Sequence, residues 1–522
     1  MDSFLHKFGS FIKGGITGFD RLVFKGYLQS IMYPEGMPGV LAKHGVLTKE
    51  YREWMVAQST ALEEAADRVS HEHCGGPVTY IASCNTNKEE LVQAQRQRLA
   101  VEQGLIGVWA CVEACMTFRS TFDPDAKKPV LRSIPGRCKH LYFYYDHVDL
   151  GLMSIRLQTW APYSIQVALN GREWLRRSLD KEHSGYQAHG NKFWDLEDFA
   201  VAQQLLDRQL DTRWHELLGG FVPQVFPTMT PLFGERMAYY WTLWQSEWAT
   251  DYLCASPQVV HTLTEKLLRY AVITGTSPRV LRYLGLPVDK KTEGPHPLSR
   301  PALFTKAQDW YDGSRVRHWV DHNSVKFYNE QNVFRVEMTM NNPERFRVYR
   351  HKTGQAPTEP KTRLALRKGL ADIALRAQLS GQVNRNFTEH LATLQDTTPV
   401  GELLQEVVQP RPASHRKVRA LDVTGKDREL LQAIADPAYA VSGITNKALQ
   451  QQLDGTAWAK GMTGAKLSAR ISRNLRLLRE HGVIRKEPNQ RRYRLMDKGR
   501  KLTTALNVIW AASTEQLLEK AA

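Results

Sequence analysis

The sequence contains little that is typical of a membrane or secreted protein. No run of about 18 consecutive apolar residues occurs, so we expect no membrane-spanning helix and no membrane partner. Residues 1–15 contain scattered lysines but neither a continuous apolar core nor a cleavage site, unlike a secretory signal. Six cysteines in 522 residues are too few for a disulfide framework. A reducing cytoplasm is therefore the expected location.

Two phosphate-binding motifs are also absent. Neither G-x4-G-K-[ST] nor G-x-G-x-x-G occurs anywhere in the chain. Because a loop of this kind is the usual cradle for nucleotide phosphates, the sequence gives no support to nucleotide hydrolysis.

The few cysteines include a C-x3-C pair, Cys111 and Cys115, inside an apolar run over residues 106–116. Zinc needs four convergent ligands. Further ligand types occur on both sides of the pair: His71, His73, Cys74, Cys138 and His140. Since free cysteines are commonly small buried residues, we favour that interpretation over a metal site.

Acidic residues are scarce at the C-terminal end of the chain. Residues 411–522 contain 22 Lys and Arg against 10 Asp and Glu, a net charge of +12 out of +16 for the whole chain. A small region with most of the excess positive charge needs a polyanionic partner, and nucleic acid is the obvious one.

The order of patterns in this basic region predicts a winged helix. Residues 430–434 form a short apolar helix, and Thr445 can cap a second helix. Residues 463–478 have apolar residues every three or four positions, which indicates a third helix, and Gly482 is a suitable C-cap. Two alternating strands follow within residues 483–495 with turn residues between them, and a last helix is expected over roughly residues 503–518.

In a winged helix the third helix enters the major groove and the wing lies along the backbone. Polar and basic side chains on these two elements are therefore the expected DNA-binding residues. They are Lys466, Ser468, Arg470, Arg473, Asn474, Arg476, Arg485, Lys486, Arg491, Arg492 and Arg494. The alternative is a winged helix that makes protein contacts.

The expected fold class is α+β and multidomain, with a body of four segments before the winged helix. Residues 1–130 predict a mixed α/β N-terminal domain, and residues 131–183 predict a β-meander followed by a basic helix. Residues 184–305 look mainly helical, and residues 306–408 predict a three-stranded sheet with basic helices. Residues 409–522 form the winged-helix domain, after a linker rich in Pro and Arg.

The meander predicts a surface for single-stranded nucleic acid. Along residues 152–160, Arg156 and Trp160 share one strand face with other polar side chains, and Arg172 begins the helix that follows. Bases stack on aromatic rings while cations meet phosphates, so Arg156 and Arg172 are candidate nucleic-acid-binding residues. An ordinary half-buried sheet explains the same pattern equally well.

A pair of carboxylates, Glu247 and Asp251, lies in the segment that looks helical. The spacing of four residues puts both on one helix face, where they are candidate ligands for a shared divalent cation. A solvated face, or pairing with Arg or Lys, is the more common use of such a spacing.

The best chemical candidate is a set of three alternating strands within residues 314–340. Lys326 and Tyr328 share the front of the second strand, and Arg335 and Glu337 share the front of the third. A tyrosine can attack a phosphodiester, a carboxylate can hold Mg²⁺, and Lys or Arg can stabilise the extra phosphate charge. A plain antiparallel meander with cross-strand ion pairs remains an alternative.

These strands resemble part of the rolling-circle replication initiators of phages and plasmids, in which a K-x-Y-[DN]-K stretch precedes an R-x-E strand. Lys326, Tyr328 and Asn329 match the first motif, and Glu330 replaces its second lysine. Arg335 and Glu337 match the second motif. The resemblance covers about 30 residues, and it implies that Glu337 is a metal ligand and Tyr328 an active-site residue.

Three further segments, F-D-R-L-V-F-K-G (19–26), L-N-G-R-E-W-L (169–175) and Q-S-E-W-A-T-D (245–251), are similar to a widespread group of uncharacterised bacterial proteins with a C-terminal winged helix. This second resemblance implies no mechanism.

The sequence therefore predicts a DNA-binding protein of mobile-element or replication type. It is expected to nick or rejoin DNA in a reaction that depends on Mg²⁺ or Mn²⁺. Two alternatives stay open: a non-catalytic partner of DNA or structured RNA, such as a transcription regulator, and a repressor whose body binds a small ligand.

Overall fold

The computed structural model describes residues 3–274, 277–286, 303–310, 313–356, 358–392, 400–413, 416–436, 439, 443–487 and 490–511. Its α+β architecture agrees with the class expected from the sequence. Within these residues no helix is both long enough and apolar enough to span a bilayer.

One large sheet dominates the body. Its strands are β1 (Ile12–Leu28), β2 (Thr79–Tyr80), β3 (Gly104–Asp123), β4 (Lys128–His147), β5 (Gly151–Gln158), β6 (Ile165–Asn170), β9 (Tyr239–Cys254), β10 (Leu303–Trp310), β11 (Gly313–Val320), β12 (Asn323–Glu330) and β13 (Val333–Met340). Two short strands, β7 (Tyr186–His189) and β8 (Lys192–Leu196), pair with each other outside this sheet. The eleven strands of the sheet lie in the order β10-β11-β12-β13-β9-β1-β6-β5-β4-β3-β2. The β2–β3 pair is parallel and the other pairs are antiparallel.

The sheet unites segments that the sequence predicted as separate parts. Strand β1 from the N-terminal segment pairs with β6 from the meander on one side and with β9 from the expected helical segment on the other. Strand β9 in turn pairs with β13 of the predicted three-stranded block. The boundaries at residues 130, 183 and 305 therefore divide one continuous sheet, because the pairings that join its strands span long sequence separations.

Helices pack around this sheet. In the body they are α1 (Ser3–Phe8), α2 (Met37–Lys43), α3 (Tyr51–Cys74), α4 (Lys88–Leu99), α5 (Gly171–Lys181), α6 (Phe199–Arg208), α7 (Trp214–Val225), α8 (Met229–Phe233), α9 (Pro257–Thr274), α10 (Ser277–Tyr283) and α11 (Ile373–Ala392). Helix α12 (Val400–Val408) follows, and its Val407 belongs to the apolar cluster of the C-terminal region. Short strand pairs β14 (Arg347–Arg350) with β15 (Thr362–Ala365), and β16 (Arg411–Ala413) with β17 (Arg416–Val418), complete the body and the start of the basic region.

The strand alternation predicted for β12 and β13 is confirmed. Val325 and Phe327 of β12, and Phe334 and Val336 of β13, belong to one buried apolar cluster with residues of α9 and α11, including Phe387. Burying one face of each strand in this way leaves Lys326, Tyr328, Arg335 and Glu337 together on the opposite face, which we call the front.

The helix predicted over residues 245–251 is wrong. These residues belong to the long strand β9, which lies between β1 and β13 in the middle of the sheet. The spacing of Trp241, Trp244 and Trp248 imitates a helical period, but Trp, Tyr and Thr suit a pleated surface, and pairing with two partner strands decides the outcome. The segment 184–305 is thus partly helical, with β7, β8 and β9 as its strands.

The C-terminal winged helix is confirmed. Its helices are α13 (Arg428–Ile434), α14 (Asn446–Leu453), α15 (Gly464–Glu480) and α16 (Asp497–Ala511), and β18 (Ile484–Lys486) pairs with β19 (Tyr493–Leu495). The Thr445 side chain caps α14 by accepting from the backbone N–H of Ala448, and Gly482 has the left-handed φ of 69° expected of a C-cap glycine. The predicted wing turn at Pro488 and Asn489 and the end of the last predicted helix lie outside the described residues.

Candidate active site

A β-bulge in β1 places a carboxylate in the middle of the sheet. Between Phe19 and Arg21 the pairing of β1 with β9 shifts by one residue, so Asp20 is the extra residue. A bulge of this kind re-aims a side chain that regular alternation would fix. The buried Asp20 carboxylate accepts hydrogen bonds from Asn191 Nδ2 at 2.9 and 2.7 Å, and from Arg335 Nη1 at 2.9 Å.

Beside Asp20 lies a buried network of two arginines and one carboxylate. Arg335 lies directly opposite Asp251 across the β13–β9 pair and holds it bidentately, with Nε–Oδ1 2.5 Å and Nη2–Oδ2 2.8 Å. Arg172 from α5 reaches the same carboxylate, with Nη2–Oδ2 3.0 Å. Burial alone would raise the pKa of Asp251, but the charges of Arg335 and Arg172 outweigh it and the pKa is lowered.

Three carboxylates converge next to this network. Asp20, Glu247 and Glu337 each have an oxygen within 4.8 Å of one of the others' oxygens, and we call them the acidic trio. Asp20 and Glu337 are buried, whereas Glu247 is half-buried. Burial and the charge of Glu337 raise the pKa of Glu247 to about 7, and burial raises the pKa of Asp20 in spite of Arg335. A proton on Glu247 or a divalent cation would reduce this crowding of like charges, in addition to Arg335 and Lys326.

Glu337 also connects the trio to Lys326 and Tyr328. Lys326 lies opposite Glu337 across β12 and β13, with Nζ 2.7 Å from Oε1. The Tyr328 hydroxyl donates to Glu337 Oε2 at 3.3 Å. Tyr328 is only 5 % exposed, and burial raises its pKa well above the usual range. Burial would also raise the pKa of Glu337, but Lys326 and Arg335 overcome this and lower it.

The structure corrects the roles predicted from the sequence for Asp251, Arg172 and Arg335. Glu247 and Asp251 are on a strand, where four residues span about 13 Å, so they do not form a close ligand pair. Asp251 is instead neutralised by arginines, and Asp20 is the third member of the trio with Glu247 and Glu337. Arg172 is 1 % exposed and turned into the protein, which corrects the expectation that it faces a nucleic acid. Arg335 is equally buried, so it positions Asp251 and Asp20 and is not presented to a phosphate.

Asp20 is the residue that the sequence argument missed. Its signal was an acidic residue that, with Arg21, forms an adjacent charged pair in the mainly apolar segment F-D-R-L-V-F, where alternation is interrupted. The bulge that directs Asp20 toward Glu337 depends on pairing with β9, more than 200 residues away, and this pairing has no local signature.

A strip of cations and aromatic rings continues across the front from the acidic trio. Arg21 lies opposite Glu247, and Lys25 is aligned through Gln166 with Arg156 on β5. Lys25 Nζ is 4.9 Å from the Trp244 ring centroid, and Lys368 Nζ is 4.2 Å from it. Burial, Arg156 and Lys368 together lower the pKa of Lys25, so the cations crowd one another. We call Arg21, Lys25, Arg156 and Lys368, with Trp244 and Tyr142, the basic strip.

Two features make this strip a suitable surface for a polyanion. Trp244 is 39 % exposed although Lys25 and Lys368 lie over its ring, so the side chain is accessible to a base. Arg156 is held at 2.6 Å by Glu113 and lies 6.0 Å from the Tyr142 ring, and its binding to nucleic acid stays a prediction. Each of these side chains lies within the sheet that carries the acidic trio.

In the winged helix the predicted DNA-binding residues divide into two groups. The exposed ones are Lys466, Arg473, Arg476, Arg485, Lys486, Arg491 and Arg494. The half-buried ones are Ser468, Arg470, Asn474 and Arg492, and they have internal partners. Ser468 donates to Asn446 Oδ1 at 3.0 Å, Arg470 stacks 4.5 Å from the Trp458 ring centroid, and Asn474 accepts from Arg419 at 3.2 Å. The exposed group is thus the part of α15 and the wing that is presented to solvent.

Comparisons with known proteins add no family. No protein-family model matches the chain, and no curated protein was found to resemble it. A comparison with solved structures found a match titled as the crystal structure of the di-domain ARO/CYC BexL from the BE-7585A biosynthetic pathway, at 11 % sequence identity and a TM-score of 0.15. The match covers 51 % of this chain and 82 % of that chain, and at this TM-score it carries no argument about fold or activity.

Proposed function

We propose that this protein binds DNA through its C-terminal winged helix and cleaves or rejoins a phosphodiester on the front of its large sheet, in a reaction that depends on Mg²⁺ or Mn²⁺. A role in replication or in a mobile element fits an activity of this kind. The cytoplasmic location remains a prediction from the sequence.

The observation that carries the proposal is the position of the acidic trio directly beside the basic strip. Glu247 faces Arg21 across the β9–β1 pair, and Lys25, Trp244 and Lys368 follow on the same face. A nucleic-acid backbone needs cations to bind phosphates and rings to stack bases. Carboxylates beside such a track repel phosphates unless a divalent cation lies between them, so the pairing of the two features supports a metal-assisted reaction.

The donor atoms of the trio fit the proposed metal. Mg²⁺ and Mn²⁺ prefer oxygen ligands and are bound in phosphoryl-transfer sites by one or a few carboxylates plus substrate oxygens. Asp20 and Glu337 are fixed by Asn191, Arg335 and Lys326, while the half-buried Glu247 is the member nearest to solvent. Such an ion would polarise the phosphodiester, and Lys326 would stabilise the charge that develops on the phosphate.

Tyr328 is the proposed nucleophile for a covalent intermediate. Its oxygen would bond to phosphorus while the bond from phosphorus to the leaving sugar oxygen breaks. Glu337, which already accepts from the hydroxyl, would receive the tyrosine proton, and the leaving sugar oxygen would take a proton from water. Rejoining reverses these steps. Because Tyr328 is 5 % exposed, the reaction requires that a DNA strand displace some of the side chains that cover the tyrosine.

The test uses full-length protein with single-stranded and double-stranded DNA in the presence of Mg²⁺ or Mn²⁺. Cleavage should require the metal, and Glu337→Gln and Glu247→Gln should each reduce its rate at least about 100-fold without changing DNA affinity. Tyr328→Phe should abolish any covalent adduct. Glu216→Gln is the matched control, since Glu216 is an exposed carboxylate on α7 that pairs with Arg213. Absence of cleavage and adduct on every DNA form would reject the enzymatic part of the proposal.

A specific observation favours a non-catalytic alternative. Glu337 is 1 % exposed and already neutralised by Lys326, and Tyr328 is covered as well. In that alternative the charged network specifies the strand pairing, and the basic strip is a recognition surface for DNA or structured RNA, as in a regulator. It predicts that all three variants bind nucleic acid normally and that the wild-type protein never cleaves it.

A further inference from the structure

We infer that Cys115, Cys138 and His140 form a second metal site, for a thiolate-preferring ion such as Zn²⁺, at the base of the β3–β4 hairpin. The two sulfurs and one ring nitrogen all lie within 4.8 Å of one another. This set of donors differs in kind from the acidic trio, since sulfur and imidazole suit zinc whereas carboxylates suit Mg²⁺. The inference does not depend on the proposed reaction.

Strand register explains why these three residues meet. Cys138 and His140 are two residues apart on β4, so their side chains share a face. Cys138 lies opposite Glu113 on β3, and Cys115 is the next residue of β3 on that face. Cys111 and Cys115 do not act as a pair because they are on a strand, about 13 Å apart, and Cys111 lies opposite His140 outside the cluster.

The imidazole of His140 is prepared to act as a ligand. Its Nδ1 is 3.2 Å from the backbone oxygen of Cys138, and a carbonyl oxygen can only accept, so Nδ1 carries the proton. The lone pair of the neutral ring is therefore on Nε2, and Nε2 is the nitrogen that we infer to be the ligand. Metal-binding histidines almost always donate their other ring nitrogen to a carbonyl or a carboxylate in this way, which fixes the ring orientation.

The distance between the sulfurs favours an ion over a disulfide. Cys115 Sγ and Cys138 Sγ are 3.2 Å apart. Two Zn–S bonds of about 2.3 Å in a tetrahedral site place the sulfurs about 3.8 Å apart, a change of roughly half an ångström. A disulfide bond of about 2.05 Å requires a larger change. It would also link a diagonal pair of strand residues, whose typical separation of about 7–8 Å exceeds the Cα span that disulfides tolerate.

The position of the cluster gives the ion a structural use. Strand β5 pairs with β4 only from His140 to His147, so residues 128–139 of β4 pair with β3 alone and form a two-stranded ribbon. Two-stranded ribbons are marginally stable by themselves. An ion between Cys115 and Cys138 would join the strands where the ribbon leaves the wider sheet. Zinc needs a fourth ligand beyond these three residues, and because Cys115 is half-buried we infer that water supplies it.

Zinc binding should displace protons. Each cysteine binds as a thiolate, so a thiol that is protonated before binding must lose its proton, whereas the neutral imidazole binds without proton loss. One Zn²⁺ bound by Cys115, Cys138 and His140 therefore releases up to two thiol protons to the solvent, with no oxidation or reduction of any group.

The test measures metal content of the reduced full-length protein after incubation with Zn²⁺ and gel filtration. One equivalent should be retained, protons should be released on binding, and Co²⁺ in its place should give the absorption bands of thiolate coordination. Cys115→Ser, at a half-buried position, should weaken zinc binding more than about 100-fold while the circular dichroism spectrum stays unchanged.

The matched control is Cys84→Ser, which removes an exposed cysteine outside the cluster and should leave zinc retention intact. Glu337→Gln should also leave it intact, which separates this site from the acidic trio. Equal zinc retention by Cys115→Ser and wild type would overturn the inference. A second result would also overturn it. If the reduced wild-type protein retained no zinc, and if removal of reductant cost the wild type two free thiols that Cys115→Ser did not lose, the two cysteines would be a disulfide pair.

Discussion

Glu247 is the member of the acidic trio with the least neutralisation from its surroundings. Asp20 accepts from Arg335 and Glu337 from Lys326, whereas Glu247 accepts a 3.3 Å hydrogen bond from the uncharged Gln245. Its pKa of about 7, set by burial and by Glu337, lies above its ordinary value of 4.5. At a pH between these two values, Glu247 keeps its proton in the folded protein but has released it in the unfolded chain. Glu247 thus destabilises the metal-free fold as pH rises from about 4.5 to 7.

A pH-dependence of metal binding follows from this residue. We expect Mn²⁺ affinity to increase as pH rises through about 7, because the cation competes with the proton on Glu247. In metal-free protein at pH 8, Glu247→Gln should raise the free energy of unfolding by about 1 kcal/mol, since it removes a charge that Glu337 repels. Calorimetric titrations with Mn²⁺ at pH 6 and pH 8, together with urea unfolding of both proteins, measure the two effects. Equal Mn²⁺ affinity at both pH values would contradict the assignment.

The buried Arg335 has a different role, which a second substitution tests. Arg335→Ala leaves Asp251 and Asp20 without their guanidinium partner inside the protein. Removal of one partner from a buried ion pair typically costs about 3–5 kcal/mol, so we expect a loss of this size in urea unfolding. Arg213→Ala, at an exposed ion pair with Glu216, is the control and should change the unfolding free energy by less than about 1 kcal/mol. A small effect of Arg335→Ala would mean that the network contributes little to the fold.

At the scale of elements, local periodicity made some features predictable. Leu467, Ile471 and Leu475 recur at helical spacing and are buried in α15, and the alternation in β12 and β13 identified their front correctly. These patterns depend only on neighbours within one element. Strand β9 was mistaken for a helix because its conformation is decided by β1 and β13, which are distant in sequence. The same reason hid Asp20, whose direction depends on a bulge against β9.

Helix α15 provides the prediction at this scale. Arg473→Ala and Arg476→Ala remove exposed guanidinium groups from the helix expected to enter the major groove. If each guanidinium binds one phosphate, its removal should lower DNA affinity and make the slope of log affinity against log salt shallower by about one. Arg479→Ala is the control, since Arg479 lies in the last turn of the helix and pairs with Glu480 at 3.1 Å. Unchanged affinity and salt slope in both variants would favour a winged helix that contacts protein.

At the scale of the whole molecule, most of the excess positive charge and the acidic trio lie in different parts of the protein. The winged helix has most of the excess positive charge, whereas the acidic trio and the basic strip lie on the sheet. The two parts touch: Arg492 stacks 4.6 Å from the Tyr349 ring centroid, and Arg500 Nη1 is 3.5 Å from Glu389 Oε2. Under the proposed function these two parts would divide the work, with affinity for DNA in the winged helix and the reaction on the sheet.

This division predicts separable defects in the two parts. Arg473→Ala should weaken DNA binding but leave the cleavage rate at saturating DNA within about twofold of wild type, because it does not touch the acidic trio. Lys25→Ala, in the basic strip, should instead lower the rate at saturating DNA, because the strand is no longer held beside Glu247 and Glu337. Single-turnover cleavage over a range of protein concentrations separates the two quantities. If Arg473→Ala lowered the saturated rate as much as Lys25→Ala, the winged helix would belong to the reaction site itself.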